Sequence, residues 1–177
     1  MLFYLAPMEG ITGYIVRNAY AHYFPYIDKY FTPFIPAAKK MSKKIKRDLA
    51  AENNGQIRLV PQLIGNRADE FLMMIRQLED LGFTSVNLNF GCPSGTVVSK
   101  RKGAGFLEEP EELEMLLEEV LENSPLAVSV KTRVGIKDPD EWEALCGVYA
   151  KFPLEELIIH PRLQIDYYSG TPRMETF

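Results

Sequence analysis

Short apolar runs alternate with amphipathic helical stretches along the whole chain, and this rhythm limits the folds open to it. Residues 2–6, 26–34, 58–63, 83–90, 126–132 and 157–160 each read as a strand. Helical patterns lie between them. Thr12 can cap a helix whose apolar side includes Ile15, Val16, Ala19, Tyr20 and Tyr23, with Pro25 as its stop. Asn66 is placed to cap the next, with Phe71, Leu72, Ile75, Leu78 and Leu81 as its stripe and Gly82 beyond its end. Pro110 opens another, with Leu113, Leu116, Leu117, Val120 and Leu121 on one face and glutamates as solvent cover on the other. Asp138-Pro139 opens a further helix carrying Trp142, Leu145, Val148, Tyr149 and Phe152, with Cys146 read as core. Successive strands lie roughly 25 to 40 residues apart, the spacing of parallel strands joined by crossover helices.

No Gly-x-Gly-x-x-Gly follows the first strand, which weakens a dinucleotide-binding reading. Strands apolar on both faces, with polar residues only at their C-terminal ends, suit an α/β fold of the TIM (β/α)8 type. A complete barrel needs eight strands and ~250 residues. Six strands are legible in these 177 residues, and residues 161–177 show no helical stripe. The expectation is therefore an incomplete barrel with two open sheet edges, the N-terminal part of a longer protein.

The strand ends carry the polar residues. Met8 and Glu9 follow the first strand and Gln62 lies in the third. Asn89 and Cys92 stand at the fourth, Lys131 and Arg133 at the fifth, His160 and Arg162 at the sixth. A barrel brings such residues to one mouth. Each also has an ordinary reading. Gln62 could be a satisfied core amide, His160 a hydrogen-bonded core histidine, and Lys131 and Arg133 could snorkel to solvent. Their recurrence at successive strand ends favours a site. The sharpest stretch is Ser85-Val86-Asn87-Leu88-Asn89-Phe90-Gly91-Cys92-Pro93-Ser94. It puts amides on a strand face where a core wants Val or Ile, and a cysteine just beyond the strand.

Cys92 and Cys146 are too few for a disulfide framework, which points to a reducing, cytoplasmic setting. The N-terminus lacks a basic n-region and is broken by Pro7, unlike a signal peptide. No apolar run approaches the ~20 residues of a membrane span. Net charge is −4, so a nucleic-acid partner would need a local patch. Lys39, Lys40, Lys43, Lys44, Lys46 and Arg47 form one candidate; they read either as a solvated helix face or as phosphate contacts.

Taken together, Ala6-Pro7-Met8-Glu9-Gly10, Pro61-Gln62-Leu63, the 87–94 stretch, Gly103-Ala104-Gly105, Val130-Lys131-Thr132-Arg133 and Ile159-His160-Pro161-Arg162 resemble the successive motifs of the tRNA-dihydrouridine synthase family. The resemblance covers residues 1–177 but only the N-terminal, FMN-binding barrel portion of such a protein. The last two barrel strands and the C-terminal helical tRNA-binding domain fall outside it. The loop 94–102 departs from the commoner pattern, with Gly95 where lysine is frequent.

What the resemblance implies is reduction of a tRNA uridine to 5,6-dihydrouridine. Reduced FMN would give hydride to C6, NADPH would be the reductant, and Cys92 would protonate C5. A thiol with a pKa near ~8.5 suits that task, where a serine hydroxyl would be far too weak an acid. Unlike a nucleophilic thiol, it should not have a strongly depressed pKa. By the same resemblance Lys131, Gln62, Pro7, Met8 and His160 would hold the flavin, and Asn89, Arg133, Arg162, Lys100 and Arg101 would serve the substrate. The uridine would have to be turned out of its stack. No metal, membrane or obligate protein partner is expected, though two copies could pair through open edges. Other readings stay open. One is a dihydroorotate dehydrogenase-like flavin enzyme, another an aldolase-type barrel with Lys131 as a Schiff base, and a third a piece without catalysis.

Overall fold

Every strand pairing among the described residues is parallel. The structure is a computed structural model describing residues 1–55 and 57–177. Its strands are β1 (Tyr4–Leu5), β2 (Lys29–Phe31), β3 (Ile35–Pro36), β4 (Leu59–Val60), β5 (Gln62–Ile64), β6 (Ser85–Phe90), β7 (Ala127–Arg133) and β8 (Leu157–His160). They pair in the orders β1-β2-β4 and β3-β5-β6-β7-β8. The two ladders are one sheet interrupted at Pro61, which has no N–H to give. Thr32 bridges the break. Its N–H donates to the Val60 carbonyl at 3.2 Å, and its hydroxyl accepts the Gln62 N–H at 3.0 Å. β2 with β3, and β4 with β5, thus each occupy a single strand position. The result is six adjacent parallel positions in chain order, six of the eight in a TIM barrel.

The sheet is curled. Laid flat, the first and sixth positions would stand ~24 Å apart. Instead the Tyr4 hydroxyl of β1 donates to Glu156, just before β8, at 2.6 Å. Lys29 of β2 pairs with the same carboxylate at 2.7 Å. Buried Lys29 also lies over the Tyr4 ring, 4.9 Å from its centroid. This polar cluster spans the interior at the strand starts, opposite the end where the reactive residues gather. β1 and β8 each have one unpaired edge.

The helices are α1 (Tyr14–Tyr23), α2 (Lys43–Leu49), α3 (Ala68–Asp80), α4 (Gly95–Val98), α5 (Pro110–Asn123) and α6 (Glu141–Tyr149). α3 buries Phe71, Met74, Ile75 and Leu78, and α5 buries Leu113, Leu116, Leu117 and Val120. These side chains meet Leu63, Val86, Leu88, Phe90, Val128 and Val130 from the sheet in one core. Full burial of each such side chain contributes about 1.5–3 kcal/mol. Pro110 stands at the start of α5, and Gly82 follows α3 with φ +86°, both as expected. Residues 161–177 contain only the 3-10 turns Gln164–Asp166 and Met174–Thr176.

Four local expectations are corrected. Thr12 does not cap α1; its hydroxyl bonds the Met8 N–H and carbonyl, and Asp48 Oδ1 accepts the Tyr14 N–H at 2.8 Å. The anticipated apolar side of α1 faces solvent, with Ile15 69% and Tyr23 73% exposed. The helix buries Arg17 instead, whose guanidinium donates to Thr12 O, Asp48 and the Asn54 side chain. That network turns the helix toward α2. Asn66 does not cap α3, because its amide donates to the Lys100 carbonyl at 3.1 Å. Cys146 lies on the exposed side of α6, which buries Leu145, Val148 and Tyr149 instead.

Candidate active site

The turn after β6 is built by one carboxamide. Asn89 Oδ1 accepts the backbone N–H groups of Gly91 at 3.0 Å and Cys92 at 2.9 Å. Two donors on the oxygen force the amide nitrogen the other way. Nδ2 donates to Gln62 Oε1 at 2.8 Å, Gln62 Nε2 donates to Asn87 Oδ1 at 2.7 Å, and Asn87 Nδ2 donates to Ser129 Oγ at 2.9 Å. Ser129 ends the series on the Val86 carbonyl at 3.1 Å. All four side chains are buried. The backbone of the Cys92 turn therefore fixes the direction of every amide in the ladder. The alternating asparagines that looked out of place in a strand are each hydrogen-bonded through both the oxygen and the nitrogen of the amide.

Two further contacts seat the turn. Gly103 has φ +55°, and a Cβ there would lie 2.8 Å from Cys92 O and 3.0 Å from Cys92 Cβ. Only glycine lets this turn close onto Cys92, where the Ala104 N–H reaches Cys92 O at 3.0 Å. Arg133, 1% exposed, donates to Gly91 O at 2.8 Å, Leu163 O at 2.8 Å and Tyr167 O at 2.6 Å. It ties the β6 turn to the segment after β8, with the Tyr168 ring 5.6 Å from the guanidinium carbon.

These elements enclose a cavity of about 380 Å³ at the carboxyl ends of the strands. Pro7, Met8, Gln62, Asn89, Cys92, Lys131, Arg133 and His160 all line it. Lys100, Arg101 and Arg162 do not. Lys100 is exposed, and Arg101 pairs with Glu112 at 3.1 Å. Arg162 spends its guanidinium on Ser169 O, Gly170 O and His160. Phe34, Tyr167 and Tyr168 also line the cavity and were missed. The tyrosines lie in a tail with no periodic pattern, and only the aromatic-rich run at 26–34 hinted at Phe34. A larger cavity of about 560 Å³ adjoins this one through Glu9 and Phe34 and carries Lys44 and Arg47. The residues with reactive chemistry lie in the smaller one.

The electrostatics are specific. Burial pushes the Cys92 thiol up, with Glu9 adding to the rise while the Ser94 backbone N–H, Arg133 and Lys131 oppose it. The thiol is therefore protonated at neutral pH. Burial, reinforced by Arg133, pushes Lys131 down. Among the described residues Lys131 has no ion-pair partner, so an electron-rich occupant would favour its charged form against burial and Arg133. His160 is pushed down to about 4, first by burial and then by Arg133, Lys131 and Arg162.

Parallel strands that deliver their polar residues to one mouth define a protein of the TIM-barrel class. Comparison with known sequences narrows the class: the family model described as "Dihydrouridine synthase (Dus)" matches residues 4–176, and the chain belongs to that family. It is 30% identical over 164 residues to a "Probable tRNA-dihydrouridine synthase" of Staphylococcus epidermidis, covering 90% of this chain and 49% of that protein. It is 29% identical over 167 residues to "Probable tRNA-dihydrouridine synthase 2" of Bacillus subtilis, covering 93% and 51%. The chain spans about half the length of the curated relatives it matches. No helix among the described residues is long and apolar enough to cross a membrane.

Proposed function

We propose that the protein is the N-terminal, FMN-binding barrel portion of a cytoplasmic enzyme that reduces uridine in tRNA to 5,6-dihydrouridine. The observation that carries this reading is the meeting, in one cavity, of a thiol kept protonated and a lysine, Lys131, that has no ion-pair partner among the described residues. When bound, flavin mononucleotide recharged by NADPH supplies the hydride for uracil C6.

The chain's own residues do the rest. Cys92 holds the proton for C5; its S–H bond breaks as the C5–H bond forms, leaving a thiolate that regains a proton from solvent. Lys131 offers positive charge to an electron-rich ring. Gln62 has N–H capacity left after its bond to Asn87, and with Pro7, Met8 and His160 it forms the cofactor wall. Asn89 and Arg133 serve the substrate by holding the Cys92 turn in place. The basic residues of α2 and the segment before it, with Lys100 and Arg101, are proposed phosphate contacts for a tRNA whose target base is turned outward. The helical tRNA-binding domain of the family lies outside residues 1–177 in this reading.

The lowered pKa of Lys131 also suits a Schiff-base amine, but the amide ladder and the protonated thiol have no part in that chemistry. Borohydride trapping with a carbonyl substrate would expose it. The test of the main reading supplies FMN, NADPH and bulk tRNA and measures dihydrouridine, with dihydroorotate as the competing substrate. Bound flavin and product in tRNA support it. Protein that releases no flavin on denaturation, or turns over only the free pyrimidine, overturns it.

A further inference from the structure

Arg162 stood among the substrate contacts expected from the sequence, yet its guanidinium is committed elsewhere. Nε donates to Ser169 O at 3.1 Å and Nη2 to Gly170 O at 2.9 Å. Nη1 lies 3.0 Å from Nε2 of His160. A guanidinium has donors only, so Nε2 of His160 must be the acceptor and cannot carry a proton. A neutral ring then bears its proton on Nδ1. We infer that Arg162 is a positioning residue which, anchored by the Ser169–Gly170 carbonyls, holds His160 as the neutral Nδ1–H tautomer, so that this histidine offers the cavity a hydrogen-bond donor and never an acid.

The surroundings act in the same direction. Lys131 and Arg133 on β7 and Arg162 itself bring positive charge to the ring, each disfavouring an imidazolium. The Tyr168 ring lies 6.4 Å away, centroid to centroid. Tyr167, Cys92 and Glu9 are the other titratable groups lining the cavity. A second proton on His160 would also displace the Arg162 contact, because Nε2 would become a donor facing a donor.

Two consequences follow for the occupant. An occupant atom that meets Nδ1 of His160 must be a hydrogen-bond acceptor, such as a ring carbonyl oxygen. His160 also cannot supply the proton for a reduced double bond, since losing its one ring proton would leave an imidazolate. The tautomer assignment is independent of what the site reduces. Only the bearing on Cys92 rests on the proposed reaction.

The chain has two histidines, His22 and His160, which makes the test clean. Long-range ¹H–¹⁵N correlation of the imidazoles in ¹⁵N-labelled protein reports both nitrogens of each ring, and His22→Gln assigns the pair. The expected spectrum shows His160 with a protonated Nδ1 and a bare Nε2, unchanged from pH 8 to pH 5. Arg162→Met should let Nε2–H appear and move protonation upward, while burial, Arg133 and Lys131 still hold it below the ordinary histidine range. Arg162→Lys, which keeps the charge but loses the anchored fork, should loosen the tautomer while protonation stays lower than in the Met variant. An Nε2–H pattern in the wild-type protein overturns the inference even if both variants fail to fold. So does an Arg162→Met spectrum identical to the wild type.

Discussion

Asn89 holds Cys92: its side-chain oxygen accepts the Cys92 N–H at 2.9 Å, and the Gly91 N–H at 3.0 Å on the same atom. A residue expected at the substrate site also sets where the cavity's thiol sits. Asn89→Ala removes the acceptor for both N–H groups and the donor to Gln62, in a buried setting. We expect a loss of about 1–3 kcal/mol in urea denaturation, the range for buried polar groups left unpaired. Asn89→Asp is the sharper variant. Its carboxylate still accepts both N–H groups, but it faces Gln62 Oε1 with no proton to give. That change should disturb the ladder as far as Asn87 and Ser129. A fully stable Asp variant would mean the ladder is not continuous.

The thiol itself can be titrated. With Cys146→Ser removing the exposed second cysteine, alkylation by iodoacetamide reports Cys92 alone. Burial raises its pKa, so the rate should climb only at pH values above those for a free thiol, near ~8.5. Rapid alkylation at pH 6–7 would mark an activated thiolate and remove Cys92 as a proton donor.

Arg133 binds three carbonyls from two segments that are distant in sequence. A lysine carries the charge but cannot reach Gly91, Leu163 and Tyr167 together. Arg133→Lys should destabilise the fold by on the order of 3 kcal/mol and loosen residues 163–168, seen as faster amide exchange there. Unchanged exchange would show that other contacts hold this segment.

Acid should weaken the fold in two separate windows. His160 is depressed to about 4 from the ordinary 6.5, so between those values the unfolded chain binds more protons and stability falls as pH drops from 6.5 toward 4. Burial works against the Glu156 carboxylate, but hydrogen bonds from Lys29 and Tyr4 outweigh it and leave its pKa lowered. Its contribution is therefore present above the unfolded carboxylate pKa, ~4.3, and is lost as pH falls through the folded value below that. His160→Gln should flatten the upper window alone. Glu156→Gln should shrink the lower one, to which Asp166 and Asp69 also contribute, while lowering stability at pH 7, because Lys29 is left buried without its partner. Chemical denaturation across pH 3–8 separates the two.

Much of this was legible because it is periodic or local. The stripes of α3 and α5 and the succession of parallel strands follow from apolar spacing. Eight residues placed at the mouth by position in the strand and by family resemblance do line one cavity. What escaped depends on partners far along the chain. Asp48 caps α1 from 34 residues away and pairs with Arg17, so the face of α1 that looked apolar is not the face that packs. Arg162 was expected at the mouth from its place after the sixth strand and from the family resemblance, but backbone carbonyls of Ser169 and Gly170, which no side-chain pattern reveals, take up its donors. Asn89 and Arg133 line the cavity, and their hydrogen bonds hold the Cys92 turn.

The central claim is that Cys92 delivers the proton to uridine C5, and one variant tests it most directly. Cys92→Ala should retain FMN and still accept electrons from NADPH, seen as bleaching of the flavin absorbance, while forming almost no dihydrouridine in tRNA. Turnover equal to the unmodified protein would contradict the account.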